Sequence, residues 1–474
     1  MKVEQIYTGC LAEAAYYIES EGEAAIIDPL RETRPYIEKA RNNDAKIKYI
    51  LETHFHADFV SGHIDLAKKS GGRIIFGPTA SPAYDAYVAT DGEELKLGKV
   101  TIKVLHTPGH TMESTTYLLI DEQGKAHSIF TGDTLFIGDV GRPDLVQKVK
   151  AEITPQMLAG HLFDSLRNKI MTLPDEVIVY PGHGAGSACG KNMSNETTDT
   201  LGHQKKVNYA LRSDMSKEEF IKEVTEGLVE PPQYFPSNVI LNVTGRMESI
   251  DDIVAKGNRA LSPKEFQTVW EATEAVVIDT RSKEAFLEEH IPGSIFVGLD
   301  DHFAPWVGTL VTDLKQSILF VADKGREEEV VIRLSRVGYD NPAGYLDGGV
   351  RAWKEKGYDI ASVETISAED FATLYEKKKG RVNLLDARRK SEYDSEHIVG
   401  ATSFPLDFIN YHMSELDRNK KYYIHCAGGY RSAIMVSILR ARGFNQLVNI
   451  VGGFKALSQT RLARTAFKRP VTML

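Results

Sequence analysis

Residues 275–293 of this chain, AVVIDTRSKEAFLEEHIPG, return as residues 382–400, VNLLDARRKSEYDSEHIVG. Asp279 corresponds to Asp386, Arg281 to Arg388, and Glu289-His290 to Glu396-His397. Further on, LDGGVRAW at 346–353 returns as IVGGFKAL at 450–457. A spacing a little over 100 residues is too long for a stacked solenoid unit and fits two tandem copies of one domain. Each copy alternates short β-branched runs with helical stretches, so each is expected to be α/β with a parallel sheet. The proline-rich segment EPPQYFPSN and the polar stretch after it place a boundary near residue 250. Ser367, the expected cap of a helix, places another near residue 362. The expected domains are 1–250, 251–361 and 362–474.

The first of these reads differently. Short apolar runs at 24–28, 48–53, 101–106, 128–133 and 176–181 each end in polar, glycine or proline residues, the pattern of strands feeding loops. Histidines and aspartates follow these runs, where loops on a rigid scaffold carry function. His54, His56 and Asp58 stand in THFHAD, His110 in HTPGHT, Asp133 in FTGDTLF and His183 in VYPGHG. Any one of these histidines alone would read as a surface or capping residue. Six such side chains in this order, of the types that bind zinc or iron, read as a metal site assembled from several strand-end loops.

Composition narrows the partners. Lys and Arg number 57 against 66 Asp and Glu, a net charge of −9. That argues against nucleic acid held by a general basic field and against an anionic membrane surface, though a local basic pocket stays open. There is no run of 18 apolar residues, so no membrane-spanning helix is expected, and the opening residues lack the pattern of a signal peptide. Three scattered cysteines, Cys10, Cys189 and Cys426, do not make a disulfide framework. A reduced, cytoplasmic setting is expected, where a cysteine that matters is catalytic.

The order HxHxD, PGHT, TGD, PGH resembles the metallo-β-lactamase superfamily over the first half of the chain. The resemblance implies an αββα sandwich with the metal at one edge of its two sheets. One position departs from the dinuclear members: the residue after Asp58, a second-metal histidine there, is Phe59 here. A phenyl ring cannot coordinate. The departure points to the mononuclear persulfide dioxygenases, which imply one Fe(II) per chain, with zinc as the alternative, on His54, His110 and Asp133. Two histidines and a carboxylate leave positions open for O2 and a substrate sulfur. His56, Asp58 and His183 are then expected to act by hydrogen bonding behind the ligands. Arg142, in GDVGRPDL, matches an arginine that contacts the thiol carrier, and reads equally as a surface salt bridge. Cys189, six residues after His183, is expected to approach the metal pocket and carry sulfur, against a reading as an inert buried residue. Cys10, in an apolar early strand, reads as inert.

In the last copy an apolar strand at 422–424 runs into Cys426, a loop of Ala427, Gly428, Gly429 and Tyr430, then Arg431 and a helix expected from near Ser432. This geometry aims backbone N–H groups and a helix start at the sulfur. The segment resembles the rhodanese sulfurtransferases. Related phosphatases place five residues between cysteine and arginine; the four here suit a persulfide. The middle copy reads ILFVADKGREEEV, with Asp323 or a neighbour in place of the cysteine. It is expected to be an inactive rhodanese homologue serving as spacer or docking surface. Anion binding by Lys324 and Arg326 is the alternative, weakened by the acidic run beside them.

Together the resemblances imply an α/β multidomain chain, an αββα metallo-β-lactamase sandwich followed by two α/β rhodanese-like domains. They imply a sulfide-detoxifying enzyme. Iron-dependent oxidation of a small-molecule thiol persulfide by O2 to sulfite would be coupled to a Cys426 persulfide that exchanges sulfur between sulfite and thiosulfate. A homo-oligomer is expected. The alternatives are a dizinc glyoxalase II-like thioester hydrolase fused to a sulfurtransferase, and a non-catalytic persulfide sensor.

Overall fold

The computed structural model describes residues 1–145, 152–191, 193–228 and 230–468. They fall into two compact units, one of Met1–Ile250 with Ser335–Gly338, the other of Asp251–Leu334 with the described residues from Tyr339 on.

In the first unit, strands β1 (Lys2–Thr8), β2 (Glu13–Ser20), β3 (Glu23–Ile27), β4 (Lys46–Leu51), β5 (Arg73–Phe76) and β6 (Tyr87–Val88) form one sheet in that order. Strands β7 (Glu94–Leu97), β8 (Val100–His106), β9 (Thr115–Ile120), β10 (Ala126–Gly132), β11 (Ile178–Pro181) and β12 (Asp199–Thr200) form a second. The composition of β2 explains the layering. It is apolar on both faces, as a strand covered on both sides must be. Ala14, Tyr16 and Ile18 point inward and pack with Ile102, Tyr117 and Phe130 of the second sheet. Ala15 and Tyr17 point the other way, against Tyr36 and Ala40 of the helix Arg34–Asn42 and Leu66 of the helix His63–Ser70. On the far side, Ile129 and Val179 pack on Leu162 of the helix Pro155–Ser165 and on Phe220 of the helix Lys217–Thr225. The result is helix, sheet, sheet, helix. Cys10 lies in the turn between β1 and β2 rather than within a strand, because Leu11 N–H bonds back to Thr8 C=O and closes that turn.

The second unit holds two sheets of the same design. Strands β13 (Ala260–Leu261), β14 (Val276–Asp279), β15 (Ile295–Phe296), β16 (Ile318–Val321) and β17 (Pro342–Leu346) lie in the order β13-β17-β16-β14-β15. Strands β18 (Glu364–Ile366), β19 (Asn383–Asp386), β20 (Thr402–Ser403), β21 (Tyr422–His425) and β22 (Leu447–Ile450) lie in the order β18-β22-β21-β19-β20. All pairings are parallel.

The residues that make the repeat visible are structural. Arg388 grips Asp386 through Nε and Nη2 at 2.9 and 2.6 Å, and Nη2 reaches Glu396 C=O at 2.8 Å. Arg281 does the same with Asp279 and Glu289 C=O, at 2.9, 2.7 and 2.7 Å. His397 and His290 each bond a carbonyl four residues back and stack on Tyr393 and Phe286 respectively. Each signature ties the end of a strand to the far end of the following helix. Asp386 is fully buried and Arg388 nearly so. Removing one member strands the other charge, at a cost of about 3–5 kcal/mol. Arg388→Met is therefore expected to lower the melting temperature of the last domain by on the order of 10 °C, as checked by calorimetry on the full chain.

Candidate functional site

The first site forms where loops leave the same end of both sheets. His54, His56 and Asp58 follow β4, His110 follows β8, Asp133 follows β10 and His183 follows β11. All six are buried. His110 Nδ1 is 2.9 Å from Arg142 C=O, His183 Nδ1 3.2 Å from Ala12 C=O, and His54 Nδ1 3.0 Å from Thr53 Oγ1. With Nδ1–H donating to those carbonyls, Nε2 of His110 and of His183 is left with its lone pair, the form in which imidazole binds metal. Three Nε2 atoms converge on Asp133: His110 at 3.4 Å, His183 at 3.5 Å and His54 at 3.9 Å. Burial, reinforced by His56, His110 and His183, holds His54 well below the ordinary histidine pKa.

Among the described residues, neither carboxylate oxygen of Asp133 accepts a hydrogen bond, nor is one made by His183 Nε2. A buried carboxylate without a donor is costly, and a cation removes that cost. His54, His110 and Asp133 bring one ligand atom each within 4.8 Å of one another. The donor set fits a metal ion.

His56, Asp58 and His183 form a second trio of the same compactness. His56 Nε2 lies 3.1 Å from Asp28 and 3.6 Å from Glu52. Burial opposes its protonation, but Asp28, Glu52 and Asp58 outweigh burial and raise its pKa to about 9. Phe59 is fully buried and lies on the His56 ring, centroids 4.2 Å apart. Phe59, which cannot coordinate, is thus part of the packing around His56. His183 presents its lone pair as His110 does, with Asp58 at 3.4 Å.

Cys189 is brought to this pocket, its sulfur within 4.8 Å of ligand atoms of Asp133 and His183. Burial, with Asp133 and Asp58 nearby, pushes its thiol well above the ordinary range. Arg142 is buried rather than at the surface, and its guanidinium forks onto Asp144 at 2.7 and 2.8 Å. Its backbone joins the metal residues to the cysteine loop, since its N–H donates to Cys189 C=O at 2.9 Å while its C=O holds His110. This backbone role is not legible in the sequence. Gly141 beside it, and Gly182 of the PGH motif, leave no room for a side chain. A Cβ on Gly141 would sit 2.0 Å from Asp133 C=O, and one on Gly182 would sit 2.8 Å from Asp133 Oδ1.

The second site is the Cys426 loop. Cys426 is buried and its sulfur accepts the Gly429 N–H at 3.1 Å. The helix that follows, Tyr430–Ala441, starts two residues before Ser432, because Gly429 in the left-handed region (φ +107°) turns the chain directly into it. Ser432 Oγ donates to Gly429 C=O at 3.1 Å and steadies the turn. Arg431 is held by Glu392 through two bonds of 2.6 and 2.8 Å. Glu392 escaped the sequence reading; its signal was that the middle copy has Ala285 at the matching position. The late glycine pair is also explained. Phe454 and Lys455 N–H groups donate to the carbonyls of Cys426 and Ala427, and a Cβ on Gly453 would strike Cys426 C=O at 2.4 Å. The matching Gly349 has open space there. In the middle copy Arg326 binds Asp300 and Glu329, so the acidic neighbours occupy the cation that an anion would need. No cysteine stands on that loop.

Two family models match the chain: the metallo-beta-lactamase superfamily over residues 8–183 and the rhodanese-like domain over residues 262–356 and 367–460. The crystal structure of a metallo-beta-lactamase from Staphylococcus aureus is similar, with 31% identity and a TM-score of 0.64, covering 73% of this chain and 98% of its own. The mitochondrial persulfide dioxygenase ETHE1 of Homo sapiens is 29% identical over 224 residues, 47% of this chain and 78% of its own. A cytoplasmic hydroxyacylglutathione hydrolase of Arabidopsis thaliana is 31% identical over 179 residues, 37% of this chain; the chain spans 65% of that relative's length. Among the described residues no helix is long and apolar enough to cross a membrane. With its four-layer sandwich, its cluster of six buried ligand-type side chains and these matches, the chain belongs to the metallo-β-lactamase superfamily and carries two rhodanese-like domains in tandem after that fold.

Proposed function

We propose that the chain is a sulfide-detoxifying fusion enzyme: a persulfide dioxygenase with one Fe(II) on His54, His110 and Asp133, joined to a Cys426 sulfurtransferase. The observation that carries the reading is the pairing of a buried set of two imidazoles and one carboxylate with a cysteine loop of sulfurtransferase length on one polypeptide. The similarity to a persulfide dioxygenase over nearly half the chain supports it. Iron held by these three side chains would supply redox chemistry toward O2 and a persulfide sulfur. The overall reaction is RSSH + O2 + H2O → RSH + H2SO3, in which the outer sulfur is oxidised by four electrons and O2 is reduced. The protein's part is to hold the reactants together and to fix the imidazoles through Thr53 and the carbonyl of Arg142.

At Cys426 the thiolate attacks the outer sulfur of thiosulfate. The S–S bond of thiosulfate breaks, sulfite leaves with its electron pair, and a cysteine persulfide remains. Run backwards, the step consumes the sulfite made by the first domain. Two sites on one chain raise the local concentration of that shared product. A cytoplasmic setting suits this thiol chemistry.

Oxygen uptake with glutathione persulfide, together with metal analysis of protein purified without added metal, tests the reading. Oxygen consumption with one iron per chain is the expected result; two zincs and no consumption would overturn it. In that event a dinuclear thioester hydrolase is the reading, favoured by the His183 lone pair beside Asp58 and by the similarity to a hydroxyacylglutathione hydrolase. Because Cys189 reaches Asp133 and His183, Cys189→Ala is expected to lower oxygen uptake by about 10-fold or more, with Cys426 transfer retained. Both rates are read on the same preparation.

A further inference from the structure

The middle domain has no cysteine of its own, yet it packs against the Cys426 loop. Tyr430 of the loop donates its hydroxyl to Gly298 C=O at 3.1 Å and packs edge-on against Phe296. Phe296 N–H in turn bonds Ser437 Oγ in the helix after the loop, at 2.9 Å. From the same domain comes Lys283. A Cβ placed on Gly429 would lie 3.8 Å from Lys283 Nζ, and the Gly429 N–H holds the Cys426 sulfur at 3.1 Å. These distances, plus the width of one residue, put the ammonium within about 9 Å of the sulfur.

Among the neighbouring arginines, Arg431 is forked onto Glu392 and Arg388 onto Asp386, while the half-exposed Arg389 lies 3.5 Å from Asp407. Of the acids contributed by the middle domain, Asp300 is bound by Arg326, while Asp301 faces Tyr430. Lys283 has a 3.4 Å pairing with the largely exposed Glu284, which is worth little. It is also the first residue of the helix Lys283–Glu288, where a positive charge opposes the helix dipole. Local helix stability therefore does not account for a lysine here.

We propose that Lys283, supplied by the cysteine-less domain, is the cation that draws a small sulfur oxyanion to Cys426. The proposal rests on the sulfurtransferase reading and gives the middle domain a part in it: Lys283 binds the oxyanion end of thiosulfate or sulfite while Cys426 exchanges the outer sulfur. It holds the substrate's oxyanion and takes no part in breaking the S–S bond, so its effect falls on KM rather than kcat.

The test uses the full chain with Lys283→Gln and Lys283→Arg, at low salt. The first readout is alkylation of Cys426 by iodoacetate and by iodoacetamide, followed by mass spectrometry of its peptide. The second is KM for thiosulfate. Lys283→Gln is expected to slow iodoacetate relative to iodoacetamide by about threefold and to raise KM by about tenfold, the larger effect following the double charge. Lys283→Arg is expected to restore both. An unchanged alkylation ratio and KM in Lys283→Gln, with wild-type transfer intact, would overturn the proposal and leave the sulfurtransferase reading standing. A changed ratio in a chain that transfers no sulfur from thiosulfate would reject that reading and keep the anion-attracting role.

Discussion

Asp133→Ala is expected to strip the metal from the first unit and to reduce persulfide-dependent oxygen uptake by about 10³-fold or more. Asp133 is the point at which His54, His110 and His183 converge, and both its oxygens are buried without a hydrogen-bond donor. Alanine removes the one negative charge shared by those three imidazoles and leaves them facing one another in a buried pocket, where a cation is no longer compensated. Metal stoichiometry by elemental analysis and oxygen uptake by electrode should fall together. The apo variant is expected to remain folded, because Asp133 contributes charge to the site and the sheets pack through other residues, among them Tyr16, Ile102 and Phe130. Thiosulfate sulfurtransfer at Cys426 is expected to persist in this variant. Retained metal with lost oxygen uptake would move Asp133 from ligand to a role in the reaction alone.

Cys426→Ser is expected to remove sulfur transfer from thiosulfate by a comparable factor of about 10³ or more, since a hydroxyl in place of the thiol forms no persulfide. The substitution is nearly isosteric, and the Gly429 N–H that meets the sulfur can meet an oxygen. The loop is also held from behind by the Phe454 and Lys455 N–H groups and by the Ser432 hydroxyl. Oxygen uptake with a supplied persulfide is expected to continue at the wild-type rate. Assay of thiosulfate:cyanide transfer and of oxygen uptake on one preparation separates the two activities. Full-rate transfer in Cys426→Ser would place the sulfur acceptor elsewhere, with Cys189 the next candidate.

The two sites were legible in the sequence to different depths. Ligand residue types and their order along the chain announced the first, because strand-end loops carry recognisable punctuation: PGHT, TGD and PGH. The glycines of those motifs turn out to be places where Leu162 (at Gly109), the Thr53 side chain (at Gly132) or the Asp133 carboxylate (at Gly182) comes too close for a side chain. The roles within the cluster were not legible. Whether a histidine offers a lone pair depends on which carbonyl takes its other N–H, and the carbonyls belong to Ala12 and Arg142, far away in sequence. For the same reason the burial of Arg142 and its pairing with Asp144 were not legible in the sequence. In the repeat, Asp386 and Arg388 stood out by recurrence, yet they brace a strand to a helix. Glu392 and Lys283, which lie near the chemistry, differ between copies or sit in the copy without a cysteine.

The sequence by itself determined the architecture: a doubled parallel α/β domain, a two-sheet sandwich before it, and the side chains able to bind metal or carry sulfur. Those properties depend on local spacing and on alternation between buried faces, which a linear chain displays. Only the tertiary structure decided which imidazole nitrogens face Asp133, that Phe59 packs on His56, and that a lysine of the cysteine-less domain lies beside Gly429 of the Cys426 loop. Each of these is a contact between residues remote in sequence, set by packing and by the pairing of buried polar groups.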